Sequence, residues 1–163
     1  MTRLIATFFY VGYLRPAPGT WGSLAALPTG LALMILGGPW LLVAGTAAIF
    51  GAGWWATGRI IAGQANHDPS EIVADEVAGQ WIALWPLAFG AANAGAAYTA
   101  LWPGWLAAFL LFRLFDITKW GPVGWADRRG DALGVMLDDV IAGLFAALGV
   151  VILAGLFHAV LMS

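Results

Sequence analysis

Two adjacent aspartates, Asp138 and Asp139, interrupt residues 133–162, a run that is otherwise almost wholly apolar. A second acidic pair, Asp75 and Glu76, sits near the start of another such run. An ionised side chain inside a membrane helix costs about 2.5–3.5 kcal/mol on insertion scales, so it needs a partner. The two stretches echo each other as "DEVAG" (75–79) and "DVIAG" (139–143). In each, an alanine and a glycine follow an aspartate by three and four residues and so share its helical face. Small residues on that face let another helix come close. Packing there would gather Asp75, Glu76, Asp138 and Asp139, each pair expected one to two turns into its helix.

Gathered carboxylates repel, and either a proton or a cation must compensate them. Mg²⁺ takes one or two protein carboxylates and completes its octahedron with water and substrate phosphate. The four acids are therefore candidate metal ligands, and one of them a general base. The competing interpretation is a proton relay or a helix-packing network.

Between the acidic pairs lies "FRLFDITK", in which Arg113, Asp116 and Lys119 are spaced by three and share one face of a helix end. Two cations flanking an acid suit a phosphate, with Asp116 joining the metal shell or acting as base. Both could instead be basic anchors that reach toward the membrane surface, an equal alternative for Lys119, whereas Arg113, deeper and near Asp116, is the better phosphate ligand. "RPAPGTWGS" (15–23) is a Pro-Gly loop entering a helix, where Thr20 and Ser23 hydroxyls and backbone N–H groups face an anion, or simply cap a turn. Asp68, Pro69 and Glu71 have the pattern of an N-cap, a first helical proline and a capping-box acid. His67 is a minor site candidate, and His158 reads as an interface residue.

The elements that must hold these groups follow from composition. Of 163 residues, 61% are hydrophobic and 10% charged, against about 25% charged in soluble domains. Several apolar stretches reach the roughly 17–25 residues that a spanning helix needs. An all-α, polytopic membrane bundle in a single domain (1–163) is expected, with about five spans near 23–37, 40–61, 72–92, 98–115 and 137–161. The first ends in a Gly-Gly-Pro turn, and the N-terminal "MTRLIATFFYVGYL" is expected to be retained as an interfacial or partly buried helix. With those spans, Arg3, Arg15, Arg59, Arg113, Lys119, Arg128 and Arg129 fall on one side, which the positive-inside rule makes cytoplasmic. The acidic clusters land on that same face. The absence of cysteine excludes disulfides, thiolate zinc sites and cysteine nucleophiles. A net charge of −2 gives no basic face for nucleic acid.

Four stretches, "RPAPGTWGSLAALP", "DPSEIVADEVAGQW", "FRLFDITK" and "GVMLDDVIAG", resemble in order and spacing the phosphatidylglycerophosphatase A family of bacterial membrane phosphatases. The resemblance implies Mg²⁺-dependent removal of the terminal phosphate from phosphatidylglycerophosphate, a phospholipid substrate, at the cytoplasmic face of the inner membrane. By motif match it puts the family's acidic positions on Asp75, Glu76, Asp116, Asp138 and Asp139, and its basic ones on Arg113 and Lys119. The chain departs from the family pattern in "KWGPVGW", where a proline usually follows the lysine, and at Asp131-Ala132, where a Gly-Gly pair is expected. A phosphatidyl transferase is the neighbouring enzyme class, but its long Asp-Gly-x-x-Ala-Arg signature is missing. A small cation or proton-coupled transporter is the competing class without catalysis. It would favour acids near the bilayer midplane. Oligomeric state is left open by the sequence.

Overall fold

A computed structural model describes residues 1–64 and 69–161. Among these residues there is no strand, and the order is α1 (Thr2–Ala6), α2 (Pro18–Ile61), α3 (Ala74–Ala94), α4 (Trp102–Thr118), α5 (Pro122–Asp127) and α6 (Ala132–Leu161). Short 3₁₀ turns occupy Val11–Tyr13 and Tyr98–Leu101. Among the described residues, three helices are long and apolar enough to cross a membrane: α2, α4 with its preceding 3₁₀ turn, and α6. Along α6 every described side chain from 151 to 160 is exposed, and all but His158 are apolar, as a helix bathed in lipid tails would be.

Helix α2 is two helices folded against each other. Gly37 (φ −154°, ψ 19°) and Gly38 (φ 70°, ψ −166°) leave helical geometry, and Pro39 follows. A Cβ built on Gly45 would lie 2.8 Å from Leu33, twelve residues earlier, which requires the halves to run antiparallel. Both outer ends return to the start of α3: Gly22 packs on Val73, and Gly53 on Ala74. Residues 18–36 and 39–61 are each about 28–35 Å long at 1.5 Å per residue, close to the hydrocarbon thickness of a bilayer.

The backbone of Gly38 lies in a region that essentially only glycine populates. Gly38→Ala is therefore expected to cost about 1–3 kcal/mol, although a Cβ there has room, its nearest neighbour being the Tyr98 hydroxyl at 3.8 Å. Gly51→Ala, in regular helix with nothing within 4 Å, serves as the control and should be neutral or stabilising. Thermal unfolding in detergent compares the two, and equal melting of both variants would rule out this hinge conformation.

Helix α3 is the centre of the bundle. It is buried on nearly all sides, contacting both halves of α2 as well as α4 and α6. Trp81 donates its indole N–H to the Ala26 carbonyl at 2.8 Å. Its start differs from the sequence expectation. Asp68 and His67 lie outside the described residues, and Pro69 and Glu71 precede the helix in a turn. The backbone N–H of Val73 is taken by the Ala6 carbonyl of the N-terminal segment (2.8 Å), so the helix begins only at Ala74. Asp75 and Glu76 thus occupy its first turn rather than the second. A carboxylate there also gains from the positive end of the helix. The segment after α4, which lies between the fourth and fifth expected spans, contains α5 started by Pro122. Pro122 sits at the first helical position of α5 and Pro103 at the second of α4, both in the first turn, where a missing N–H is harmless.

Candidate active site

The ends of α2, α3, α4 and α6 that carry residues 18–20, 72–76, 113–119 and 135–139 meet around a cleft of about 350 Å³. What lets the helices meet so closely is the pair of small residues that follow the aspartates. A Cβ on Gly79 would lie 2.5 Å from the Asp139 carbonyl oxygen and 2.5 Å from the Phe112 ring. On Gly143 it would run into the Gly79 backbone itself. The α3–α6 crossing is thus a glycine-to-glycine contact, with Asp75 and Asp139 one turn away on the same faces.

This crossing splits the acids into two groups. Asp75, Glu76 and Asp139 each offer an oxygen within 4.8 Å of the others. The Glu76 N–H donates to Asp75 Oδ1 (3.0 Å), and the Asp139 N–H to Asp138 Oδ1 (2.9 Å). Glu76 Oε2 and Asp139 Oδ1 are buried and have no hydrogen-bond partner among the described residues. Three hard carboxylate oxygens, two of the acids with an orphaned atom, fit a divalent cation such as Mg²⁺. The other group surrounds Lys119. Its Nζ pairs closely with Asp138 Oδ2 and lies 3.1 Å from Asp127 and 3.6 Å from Asp116. Lys119 reaches back because it adopts a left-handed conformation (φ 50°) that caps α4. Burial works against its charge, but the pull of Asp138 outweighs this, with Asp139 and Asp116 adding to it. The ammonium accordingly holds its proton more tightly than an ordinary lysine.

Arg113 forms the opposite wall. Its Nη1 donates to Asp116 Oδ2 at 2.5 Å and to the Ser23 hydroxyl at 3.4 Å, and its Nε is buried without a partner. Ser23 is fully buried, donates to the Gly19 carbonyl (2.8 Å) and is absent from the lining of the cleft. It braces Arg113 from behind. Thr20, by contrast, lines the cleft in the first turn of α2. A Cβ on Gly19 would collide with Glu76 Oε1 and come within 3.3 Å of Arg113 Nη1, so the positive start of α2 abuts both groups. His158, far along α6, is exposed, with Nδ1 2.8 Å from the Ala154 carbonyl oxygen.

Sequence reasoning missed two residues, Asp127 in the cleft and Gln80 behind it. Asp127 stands beside Arg128 and Arg129 and reads as surface charge, yet α5 turns it onto Lys119. Gln80 is fully buried one turn beyond Glu76, with neither side-chain polar atom partnered. A buried amide in a spanning-length apolar run was the signal that could have found it.

Residues 4–154 match the family described as Phosphatidylglycerophosphatase A. A relative with that name from Haemophilus influenzae is 38% identical over 148 residues, 90% of this chain and 84% of its own. The one from Escherichia coli is 33% identical, covering 89% of this chain and 78% of its own. A Bacteroides thetaiotaomicron protein, provisionally named a phosphatidylinositol-3-phosphatase, is 37% identical over 88% of this chain and 87% of its own. No solved structure matches the chain.

Proposed function

The chain belongs to the phosphatidylglycerophosphatase A family, and we propose that it hydrolyses the terminal phosphomonoester of phosphatidylglycerophosphate, releasing inorganic phosphate and phosphatidylglycerol. The observation that carries this reading is the convergence of Asp75, Glu76 and Asp139 within 4.8 Å, in a cleft whose other wall holds Arg113 and the start of α2. Phosphoryl transfer asks mainly for positioning and charge neutralisation, with water entering in line with the leaving oxygen. Asp75, Glu76 and Asp139 would hold a Mg²⁺ ion, with Asp138 and Asp116 flanking it. Such an ion, when bound, supplies positive charge to the phosphoryl oxygens and activates water. Arg113, oriented by Asp116 and Ser23, binds the phosphoryl oxygens, and the Thr20 hydroxyl with the first amides of α2 supplies further donors. The acidic cluster accepts the proton that the attacking water gives up.

The membrane placement belongs to the same proposal. The two halves of α2, then α3, α4 and α6, would cross a bacterial inner membrane five times. The cleft would then lie at the cytoplasmic face. Arg3, Arg15, Arg59, Arg113, Lys119, Arg128 and Arg129 are the protein's seven basic residues. They lie on segments at the cleft end of the bundle, which the positive-inside rule assigns to the cytoplasm. Every acid of the cleft also lies near that end, which suits a headgroup at the surface better than an ion path through the midplane.

The test is phosphate release by the detergent-solubilised protein from phosphatidylglycerophosphate, phosphatidic acid, lysophosphatidic acid and phosphatidylinositol 3-phosphate. Turnover of the first should exceed the others, vanish with EDTA and return with Mg²⁺. Full activity in EDTA would refute the metal assignment. Preference for another lipid would refute the substrate.

A further inference from the structure

Phosphatidylglycerophosphate carries two phosphates, a terminal monoester and an inner diester that joins the headgroup glycerol to the lipid. The cleft holds Arg113 for the first. The second lies one glycerol unit nearer the bilayer, where a cation at the rim would meet it. Most basic side chains are already engaged. Arg113 pairs with Asp116, Lys119 with Asp138 and Arg129 with Asp131, and Arg59 lies over the Trp55 ring at 5.8 Å. Arg15 is exposed and makes no ion pair among the described residues. Its Nη1 donates to the Ser70 hydroxyl at 3.3 Å, and Ser70 lines the cleft.

Two observations put Arg15 where the headgroup would pass. Toward the cleft, Ala17, Pro18, Gly19 and Thr20 form a continuous stretch of its lining. Four residues of chain span at most about 13–14 Å, so the Arg15 backbone stays within that distance of Gly19, which abuts Arg113 Nη1. Toward the bilayer, Tyr10, Tyr13 and Leu14 just before it are exposed, the two rings stacked with centroids 6.1 Å apart. Tyrosines of this kind favour the headgroup layer of a membrane, which is the level of a phosphodiester.

We infer that Arg15 binds the inner phosphodiester at the rim of the cleft while Arg113 takes the terminal phosphate, and that Arg15 thereby selects phosphatidylglycerophosphate over phosphatidic acid, which has a single phosphate. The inference rests on the substrate reading above and adds to it the residue that sets the selectivity. A guanidinium suits the task, because its planar fork meets two phosphate oxygens at once and it stays charged. The diester is remote from the bond that breaks and is held alike before and during hydrolysis. Arg15 therefore acts on substrate binding rather than on the chemical step.

Steady-state phosphate release from phosphatidylglycerophosphate and from phosphatidic acid by the solubilised full chain tests this, with Arg15→Gln, Arg15→Lys and Arg128→Gln beside the parent. Arg128, at the end of α5, is also exposed and without an ion pair among the described residues, so it controls for a general loss of positive charge. Arg15→Gln should raise KM for phosphatidylglycerophosphate roughly tenfold with kcat held, the lower end for a hydrogen bond to a charged group because the site is exposed. The preference over phosphatidic acid should fall by the same factor. Arg15→Lys should recover part of both, and Arg128→Gln should keep the parent's preference. An equal fall in turnover of both lipids in Arg15→Gln would mark a structural role and overturn the inference. So would an equal effect of Arg128→Gln, or an Arg15→Gln indistinguishable from the parent. A parent that prefers phosphatidic acid would overturn the substrate reading itself, which separates the two failures.

Discussion

Asp139→Asn lowers kcat/KM for the phospholipid phosphate by roughly 10²- to 10³-fold, the scale on which loss of one charge-stabilising group slows an enzyme, while leaving the melting temperature unchanged or raised. The two halves of this expectation have one cause. Asp139 is almost wholly buried, its Oδ1 has no partner, and its neighbours Asp75 and Glu76 are also acidic. In the absence of a cation its charge opposes folding, because a buried, unpaired ion is costly. Asparagine keeps the shape, removes the charge and adds a donor that the neighbouring carboxylates can accept. A residue retained mainly for packing would do the reverse, losing stability and sparing turnover. Phosphate release and a detergent melting curve on the same sample decide it, and full Mg²⁺-dependent activity in Asp139→Asn would remove Asp139 from the site.

Gly143→Ala has the second large effect, reached by geometry rather than charge. The new methyl group meets the Gly79 carbonyl at less than van der Waals separation and the Gly79 Cα at 3.0 Å. Backbone cannot rotate away as a side chain can, so α6 must move off α3. Overpacking of this kind costs about 1–3 kcal/mol, which corresponds to roughly 2–4 °C per kcal/mol for a chain of this size. Asp139 lies one turn away on the same face, and a shift of about 1 Å in a catalytic constellation can cost on the order of 10²-fold in rate. Stability and activity should therefore fall together. Gly155→Ala in the same helix, where a Cβ meets nothing within 4 Å, should change neither. Equal behaviour of the two variants would show that the crossing does not depend on glycine contact.

Comparison of the two acidic stretches explains what was legible in advance. "DEVAG" and "DVIAG" announce the α3–α6 contact because helical periodicity fixes which residues share a face, and glycine on that face has one common use in an apolar helix. The "GGP" turn likewise announces the hinge of α2, since Gly38 takes a backbone conformation closed to other residues. The start of α3 was misleading for a matching reason. Capping-box residues are recognised by spacing alone, but here the N-terminal segment takes the Val73 N–H and delays the helix to Ala74. Ser23 and Thr20 were indistinguishable as hydroxyls near a helix start, and only packing sends one behind Arg113 and leaves the other facing the cleft.

What the sequence determined by itself was local: helices of membrane-spanning length and which residue types share a face, because each depends on composition and on a repeat of 3.6 residues. The tertiary structure alone decided how the acids divide. Asp138 and Asp139 are neighbours in the chain, yet one pairs with Lys119 and the other turns to Asp75 and Glu76. Successive side chains on a helix diverge by about 100°, and where each then ends depends on which helix stands opposite, a matter of distances between segments that no single segment encodes.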